Sequence, residues 1–375
     1  MAMKIWLKGI IRRLNKVETD PLITVSISRS ALLHNLSEFQ RIAPNNKIIP
    51  VLKSNAYGHG LIEVARILEN KADFFVVDSY FEALALRSER IKTPLLIMGY
   101  VRPEVMKKSG LKNIYYAVCS LEALFAINSS CKIHLKIDTG MHRQGIMPDE
   151  LEQALKYIKN NPNIELEGIC SHLSDADAQT IEYTEKQISL WDSLVEKTIK
   201  EFPLLKYTHL SNSYGHNFTN KIKANTSRLG IGLYGLADMS QLDLKPVLEM
   251  NTIITCTKKI KKGDAVGYNT SFIAPQDMTI ATIPVGYYEG LDRRFSSKGF
   301  VKIENSYAPI IGKISMNMTT IDIGGISDAK IGTKVQVISS NKPDKNSIFS
   351  MAQLDNAITY ELVVKIPKEI KRIII

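Results

Sequence analysis

One lysine of this chain stands where a side-chain amine could do covalent chemistry. Lys53 directly follows the apolar run of residues 48–52 and begins the segment Lys-Ser-Asn-Ala-Tyr-Gly-His-Gly, which ends at Gly60. An ammonium group at the end of a buried strand is costly to desolvate, and a desolvated lysine becomes a nucleophilic amine. Considered alone, Lys53 would more often be a surface residue on a loop. The segment that follows it makes it a candidate to react with an electrophile.

Other polar residues gather just after apolar runs later in the chain. Arg143, His172 and Ser213 each have an ordinary structural interpretation, as a surface ion-pair partner, a hydrogen-bonded core histidine and a helix cap. Their position at the ends of successive runs favours a shared site instead. These clusters are Lys136 to Arg143, Ser171-His172 and Ser211 to Ser213, and a further cluster, Arg228 to Ile231, opens the last run.

The elements that would position these residues alternate between short apolar runs and helical segments. Such alternation is typical of parallel strands joined by crossover helices, and eight strands predict a closed (β/α)₈ barrel. Functional residues of these barrels lie at the carboxyl ends of the strands, where the polar clusters fall. The predicted strands cover residues 47–52, 73–77, 94–98, 114–119, 132–137, 165–171, 206–210 and 228–234, and the predicted crossover helices include residues 61–68, 150–159 and 180–200.

The pattern changes at about Leu244, where helical segments give way to strands joined by turns. This change predicts a smaller all-β domain after the barrel. We therefore expect a basic N-terminal extension at residues 1–21, the barrel at residues 22–243 and the β domain at residues 244–375. The predicted strands of the β domain cover residues 249–258, 278–284, 299–303, 310–314, 319–323 and 334–339.

Composition restricts the class of protein. The chain has 375 residues, 45% of them hydrophobic, and its apolar runs are all shorter than the roughly 20 residues that span a bilayer, so we expect a soluble protein. The net charge is +10, but the lysines are dispersed rather than grouped with aromatic residues, which disfavours nucleic-acid binding. The basic segment from Lys4 to Lys16 is expected to be a surface helix rather than a signal peptide.

The four cysteines bear on metal binding and location. Cys119, Cys131, Cys170 and Cys256 lack the spacing of zinc ligands and form no C-x-x-C pair. This arrangement is typical of free thiols in a reducing compartment, so we expect a cytoplasmic protein without a bound metal.

The segment that begins at Lys53 resembles the pyridoxal 5′-phosphate attachment site of bacterial alanine racemases, which are enzymes of fold type III. The resemblance implies that Lys53 binds this cofactor as an aldimine and that Tyr57 reaches the cofactor phosphate. The later polar clusters are similar to alanine racemase motifs in the same order. They imply that His172 and Arg228 bind the cofactor, with Arg228 at its pyridine nitrogen, and that Arg143 orients the substrate.

Residues 230–235 match the dinucleotide-binding pattern G-x-G-x-x-G, but the context for that function is weak. No strand plainly precedes the match, and no acidic residue follows at the required distance. Phosphates in barrels favour the loops around strands seven and eight. We therefore expect backbone N–H groups near Gly230 and Ile231, together with the Ser213 hydroxyl and Tyr57, to hold a phosphate monoester.

Racemisation through a planar intermediate needs one acid/base group on each face of the substrate, and Lys53 can serve only one. Residues 265–272 resemble the family segment that carries the catalytic tyrosine, which makes Tyr268 the candidate for the second base. Without the barrel evidence, a tyrosine packed on a strand would be the ordinary interpretation.

Two further segments of the β domain resemble family signatures. They imply that Tyr287 lines the substrate entrance and that the backbone of Met316 binds the substrate carboxylate. In the family, these residues and the catalytic tyrosine reach the barrel of a second subunit. The resemblance therefore implies a homodimer with composite sites.

The chain departs from the family pattern at two positions. Asn317 stands where the family usually has aspartate, which removes a negative charge at the active-site entrance. Lys368 falls where a phosphate-binding tyrosine is common in the family. Lys136 matches a lysine that is often N-carboxylated in the family. Carbamylation there would replace a cation beside Arg143 with an anion, but a sequence does not reveal the modification.

The activity implied by the resemblance is the interconversion of L-alanine and D-alanine, which supplies D-alanine for peptidoglycan. A racemase of broader specificity that also accepts serine is an alternative, since residues of the substrate pocket cannot be placed from sequence. A related decarboxylase is disfavoured because Cys256 has no companion catalytic motif. A non-catalytic cofactor carrier would have no need of the β domain that carries Tyr268.

Overall fold

A computed structural model of the protein describes residues 21–178 and 180–375. The basic segment from Lys4 to Lys16, predicted as a surface helix in an N-terminal extension, lies outside the described residues. A barrel of parallel strands and a group of mostly antiparallel sheets make up the described part of the chain.

The barrel is an eight-stranded parallel sheet that closes on itself. Strand β1 (Thr24–Ile27) and helix α1 (Arg29–Ile42) precede it. The ring closes between its first two strands, where Val51 bridges Val76 and the Leu52 N–H donates to the Val76 carbonyl at 2.7 Å. The predicted barrel is confirmed, and its strands are β2 (Lys47–Pro50), β3 (Phe75–Val77), β4 (Leu95–Ile97), β5 (Ile114–Val118), β6 (Cys131–Lys136), β7 (Ile164–Cys170), β8 (Tyr207–His209) and β9 (Thr226–Leu229).

Helices follow the barrel strands and cover the outside of the ring. In α3 (Leu61–Leu68) the buried residues Leu61, Val64, Ala65 and Leu68 recur at helical spacing, so one face packs on the strands. The other helices of this region are α2 (Lys53–Tyr57), α4 (Tyr80–Ser88), α5 (Pro103–Lys108), α6 (Leu121–Phe125), α7 (Leu151–Lys159) and α8 (Glu182–Glu201), with 3₁₀ turns at Pro148–Glu150, Tyr214–Lys221 and Ile231–Tyr234.

The last barrel strand differs from its prediction. The predicted strand covered residues 228–234, whereas β9 starts at Thr226 and ends at Leu229, and Ile231–Tyr234 forms a 3₁₀ helix. The apolar run continues because Ile231, Leu233 and Tyr234 are themselves buried. Burial of a short helix and burial of a strand produce the same local pattern, so the run did not mark where the strand ends.

The C-terminal region is built from sheets, as predicted, with two short helices near its end. The elements are β10 (Leu248–Ile253), β11 (Cys256–Ile260), β12 (Ala265–Val266), β13 (Phe272–Ile273), β14 (Met278–Ile283), β15 (Phe300–Ile303), β16 (Ser306–Pro309), β17 (Thr319–Asp322), β18 (Lys334–Ile338), β19 (Lys371–Ile374), α9 (Ile348–Leu354) and α10 (Thr359–Val364), with 3₁₀ turns at Tyr268–Thr270 and Arg293–Phe295. A six-stranded sheet has the order β16-β15-β18-β10-β1-β19. A three-stranded sheet has the order β11-β14-β17, and β12 pairs with β13 in a two-stranded sheet.

Strand β1 joins this second region rather than the barrel. Thr24 pairs with Asn251 in antiparallel β10 on one side and with Lys371 in parallel β19 on the other. The predicted strand at residues 249–258 also divides between β10 and β11, which belong to different sheets. The division of the chain at residues 22 and 243 stays a prediction, but the N-terminal strand crosses it to complete the larger C-terminal sheet.

Among the described residues, we find no helix that combines the length and the apolar character needed to cross a bilayer.

Candidate active site

Lys53 lies where strand β2 gives way to a left-handed turn. Ser54, Asn55, Ala56 and Tyr57 all have φ between 52° and 55°, a region that costs about 1–2 kcal/mol for each residue with a side chain. The turn packs under helix α10, since a Cβ atom on Gly58 would overlap the carbonyl oxygen of Val363. Tertiary contacts therefore stabilise this strained backbone. The turn places Lys53 at the carboxyl end of the barrel.

The turn is also tied by hydrogen bonds from its asparagine. The side-chain carbonyl of Asn55 accepts from the Leu61 N–H at 2.9 Å, and the Asn55 N–H donates to the Glu82 carboxylate at 3.3 Å. These bonds connect the turn to the helices on either side. The Lys53 backbone is thus held from α3 and α4 together.

A cavity of about 570 Å³ opens at the carboxyl end of the barrel, and it collects most of the predicted site. Lysine, arginine, histidine and tyrosine side chains from different strands converge on it. The predicted residues that line it are Lys53, Tyr57, Lys136, Arg143, His172, Ser213, Arg228, Gly230 and Ile231.

Arg228 is the most completely bonded side chain of this cavity. Its guanidinium is buried at 4% exposure and donates to the backbone carbonyls of Ser171 at 2.6 Å, His209 at 2.8 Å and Leu210 at 3.1 Å. It also lies 3.2 Å from Nδ1 of His172 and 2.5 Å from Nδ1 of His209. These five acceptor atoms engage both terminal NH2 groups, so among the described residues only the Nε–H of Arg228 has no acceptor.

The histidines around Arg228 are neutral. Burial, followed by the Arg228 charge, lowers the pKa of both His172 and His209 well below its usual value, and burial lowers the pKa of His134 to about 3. Because Arg228 can only donate, Nδ1 of His209 accepts, and its proton resides on Nε2. That proton points at Nδ1 of His134, 2.8 Å away. A chain of oriented imidazoles therefore runs from Arg228 into the barrel core.

The residues predicted to hold a phosphate form one wall of the cavity. The Ser213 hydroxyl accepts from the N–H groups of Gly230 at 3.2 Å and Gly232 at 3.1 Å. A Cβ on Gly230 would lie 2.8 Å from the Tyr57 hydroxyl, so only glycine permits this close approach. Burial raises the pKa of Tyr57 to about 12, against the opposing charge of Arg228, and keeps its hydroxyl a donor near neutral pH.

Lys136 is an unusual side chain because it is buried without an acidic partner among the described residues. It is 5% exposed, and its one side-chain hydrogen bond in that part of the chain goes to the Gln144 amide at 3.3 Å. Burial lowers the pKa of Lys136, and the charges of Arg228 and Arg143 act in the same direction. These surroundings favour the free amine, which is the form that reacts with electrophiles.

The three predicted residues of the β domain lie elsewhere. Tyr268, Tyr287 and Met316 line a second cavity of about 670 Å³, and none of its described lining residues lines the barrel cavity. All three are exposed, Tyr268 at 63%. A single copy of the chain therefore does not bring the two predicted acid/base residues into one cavity.

Two family models cover nearly all of the described chain. One, "Alanine racemase, N-terminal domain", matches residues 27–238, and the other, "Alanine racemase, C-terminal domain", matches residues 247–374. The chain belongs to the alanine racemase family. The resemblance on which the sequence analysis depends is thereby confirmed.

Relatives of this family match over most of the length of this chain. An alanine racemase of Lactobacillus acidophilus is 35% identical over 370 residues, covering 93% of this chain and 96% of that protein. One from Fusobacterium nucleatum is 36% identical over 362 residues, covering 94% and 99%. The solved structure of a Clostridium difficile alanine racemase matches with a TM-score of 0.88 at 28% identity, covering 96% and 97% of the two chains.

The structure places Lys368 away from the phosphate wall and brings another C-terminal residue, Tyr360, to it. Tyr360 in α10 lines the barrel cavity, with its ring centre 5.9 Å from that of Tyr57. Lys368 lines a separate groove with Glu63 and Arg372. Tyr360, not Lys368, is thus the C-terminal residue beside the phosphate wall. Residues 358–361 resemble a family motif, but a motif alone does not say where the Tyr360 ring points.

Asn317 has a partner that the sequence did not reveal. Its side-chain amide donates to Glu289 at 2.7 Å, and the other Glu289 oxygen accepts from the Gly286 N–H at 2.8 Å. Asn317 therefore belongs to a hydrogen-bonded pair beside Tyr287 and Met316, and it is not simply a position where an entrance charge has been removed.

Proposed function

We propose that the protein is an alanine racemase that interconverts L-alanine and D-alanine with pyridoxal 5′-phosphate bound at Lys53. The observation that carries the proposal is the convergence of Lys53, Arg228 and the phosphate wall on one cavity at the carboxyl end of the barrel. Membership of the alanine racemase family over both regions supports the same reaction.

The side chains of the barrel cavity fit this cofactor. Lys53 offers an amine, and Arg228 offers its Nε–H, whose direction the bonded NH2 groups fix, to the pyridine nitrogen. The hydroxyls of Tyr57, Ser213 and Tyr360 and the N–H of Ile231 supply donors for the phosphate. When bound, the cofactor supplies an electron-withdrawing system that stabilises negative charge at the substrate Cα.

The bonding of Arg228 limits that electron withdrawal. A guanidinium can donate but cannot accept, so it would leave the pyridine nitrogen of a bound cofactor without a proton. The neutral histidines beside Arg228 supply no competing proton, because burial holds the pKa of His172 and His209 below its usual range. Weaker delocalisation favours prompt return of a proton to Cα, which suits racemisation over transamination.

The second face of the substrate requires an acid/base group from another copy of the chain. We assign this role to Tyr268 of a second subunit in a homodimer, with Lys53 acting on the opposite face. Support comes from the exposure of Tyr268, Tyr287 and Met316 on a surface apart from the barrel cavity. Docking this surface on a partner barrel would give two composite sites related by two-fold symmetry.

Substrate orientation is assigned to Arg143 and to the Met316 backbone, with Tyr287 at the entrance. Arg143 lines the barrel cavity close to Lys136, whose lowered pKa favours reaction of the free amine with carbon dioxide. The resulting carbamate on Lys136 would neutralise the repulsion between the two cations and hold Arg143 by a charged hydrogen bond. Incorporation of ¹³C-labelled bicarbonate, followed by carbon NMR, would detect the modification.

We further assign the enzyme to the cytoplasm, where it would supply D-alanine for peptidoglycan. Its four cysteines all lie in the described part of the chain, and all are free thiols. Free thiols are usual in a reducing compartment.

The proposal is tested by incubating the purified protein separately with L-alanine, D-alanine and L-serine and following optical activity. We expect racemisation of alanine from both directions, a visible absorption band from bound cofactor, and slower reaction with serine. Absence of the band and of racemisation after addition of pyridoxal phosphate would overturn the assignment. Faster turnover of serine than of alanine would support the assignment as a racemase but show that serine is the preferred substrate.

A further inference from the structure

Two loops of the β domain carry the residues assigned to the substrate entrance. Residues 286–290 carry Tyr287, and residues 315–318 carry Met316. The loops are joined by backbone hydrogen bonds, from the Tyr287 N–H to the Ser315 carbonyl at 3.1 Å and from the Tyr288 N–H to the Met316 carbonyl at 2.9 Å. Gly286 permits this approach, since a Cβ there would overlap both carbonyl oxygens of the facing loop.

A buried carboxylate completes the junction between these loops. Glu289 is 9% exposed, although the neighbouring Tyr287, Tyr288 and Met316 are exposed. One oxygen accepts from the Gly286 N–H in its own loop, and the other accepts from the Asn317 amide in the facing loop. Glu289 therefore bonds to both loops at once, below the surface that they present.

We propose that Asn317 is a positioning residue, which holds the Met316 loop against the Tyr287 loop by donating its amide hydrogen bond to Glu289. An ionised glutamate accepts hydrogen bonds and donates none, so the position opposite it requires a donor. Aspartate, the usual family residue, would place a second carboxylate against Glu289. Asparagine at position 317 is thus matched to glutamate at position 289.

The expected effect of Asn317 on substrate binding rests on the proposed composite site. The backbone of Met316 and the ring of Tyr287 act only if their loops keep a fixed separation. Misplacing such groups weakens substrate binding more than it weakens proton transfer by Lys53.

A reciprocal exchange of donor and acceptor tests the pair. Asn317→Asp places two acceptors against each other. Glu289→Gln keeps the pair bonded, because the introduced amide oxygen accepts from the Gly286 N–H and its NH2 donates to the Asn317 oxygen after the Asn317 amide turns over. The double variant N317D/E289Q restores a donor and an acceptor, because the amide introduced at position 289 can donate to the carboxylate introduced at position 317. Asn305→Asp, in the exposed turn between β15 and β16, is the matched control for the charge change.

We expect N317D to lower the melting temperature by about 2–4 °C, E289Q to lower it less, and N317D/E289Q to recover most of the N317D loss. In the racemisation assay, N317D should raise KM about tenfold with kcat within about threefold of wild type, and the double variant should lower KM again. A double variant no more stable than N317D, or a KM unchanged in N317D, would overturn the inference.

The two assays separate this inference from the proposed function. Thermal unfolding measures coupling between the residues even if the protein racemises nothing. An inactive wild-type protein with coupled variants would overturn the proposed reaction while keeping the pair. An active wild type whose single variants are uncoupled would overturn only the positioning role.

Discussion

The barrel cavity and the β-domain cavity differ in how far their side chains are fixed by the chain itself. Arg228 is buried and donates to five acceptor atoms of four residues, and the imidazoles beside it are oriented in turn. Tyr268 is 63% exposed and lies in another cavity from Lys53. The comparison agrees with the proposed function, in which one copy of the chain would build the cofactor-binding half and present the other half to a partner.

The largest expected effect comes from removing the Lys53 amine of the barrel cavity. Lys53→Ala should lower racemisation by at least about 10⁴-fold, because the covalent anchor and one acid/base group are lost together. Borohydride reduction of the wild-type protein with bound cofactor, followed by peptide mapping, should label Lys53. Label on another lysine would contradict the assignment, and Lys71→Ala in the same region is the control for loss of a surface lysine.

Removing the Tyr268 hydroxyl of the β-domain cavity should have the next largest effect. Tyr268→Phe is expected to lower racemisation in both directions by about 10²–10⁴-fold and to leave cofactor binding unchanged. In deuterated water, the variant should still exchange the Cα proton of the enantiomer presented to Lys53, without inverting it. Activity close to wild type would remove Tyr268 from the mechanism.

Breaking the histidine chain should affect stability as well as activity. His209→Leu removes the acceptor for Arg228 and the donor to His134, so buried polar atoms lose partners, and the free energy of unfolding should fall by about 1–3 kcal/mol. Tyr287→Leu, an exposed change in the β-domain half, should alter the free energy of unfolding by less than about 0.5 kcal/mol. Urea unfolding of the cofactor-free proteins makes the comparison, and equal losses would contradict the contrast between the halves.

The smallest effect is expected at the phosphate wall. Tyr360→Phe removes one uncharged hydrogen-bond donor and should raise the dissociation constant for pyridoxal phosphate by about three- to tenfold. Lys368→Ala, in the separate groove, should leave that constant unchanged. Spectroscopic titration of the cofactor-free protein measures both, and a larger effect from Lys368 would restore the role predicted for it from the sequence.

The barrel and most of its site could be predicted because both depend on local patterns. Apolar runs mark strands, and the residue just past each run marks its carboxyl end, which is how Lys53 and His172 were found together. Arg228 was found by the resemblance to a family motif, since it stood at the start of its predicted strand. The end of β9 was misplaced because the buried 3₁₀ helix after it continues the apolar run. The pairing of β1 with β10 depends on residues more than 200 positions apart, for which a local pattern contains no signal.

Parts of the site were missed for the same reason. Tyr360 reaches the cavity because α10 packs on the turn after Lys53, a contact across some 300 residues that the sequence motif does not encode. Asn317 looked like a lost charge until the structure placed it against Glu289. In both cases the residue type was informative, but its role depended on a partner brought near by the tertiary fold.

The composite site is tested most directly by mixing two inactive proteins. Subunits carrying Lys53→Ala and subunits carrying Tyr268→Phe are combined under conditions shown to exchange subunits, and racemisation of L-alanine is measured. A hybrid dimer has one site with both residues intact, so random exchange of equal amounts should restore about a quarter of wild-type activity. Complete exchange without recovery of activity would show that Lys53 and Tyr268 do not combine across an interface.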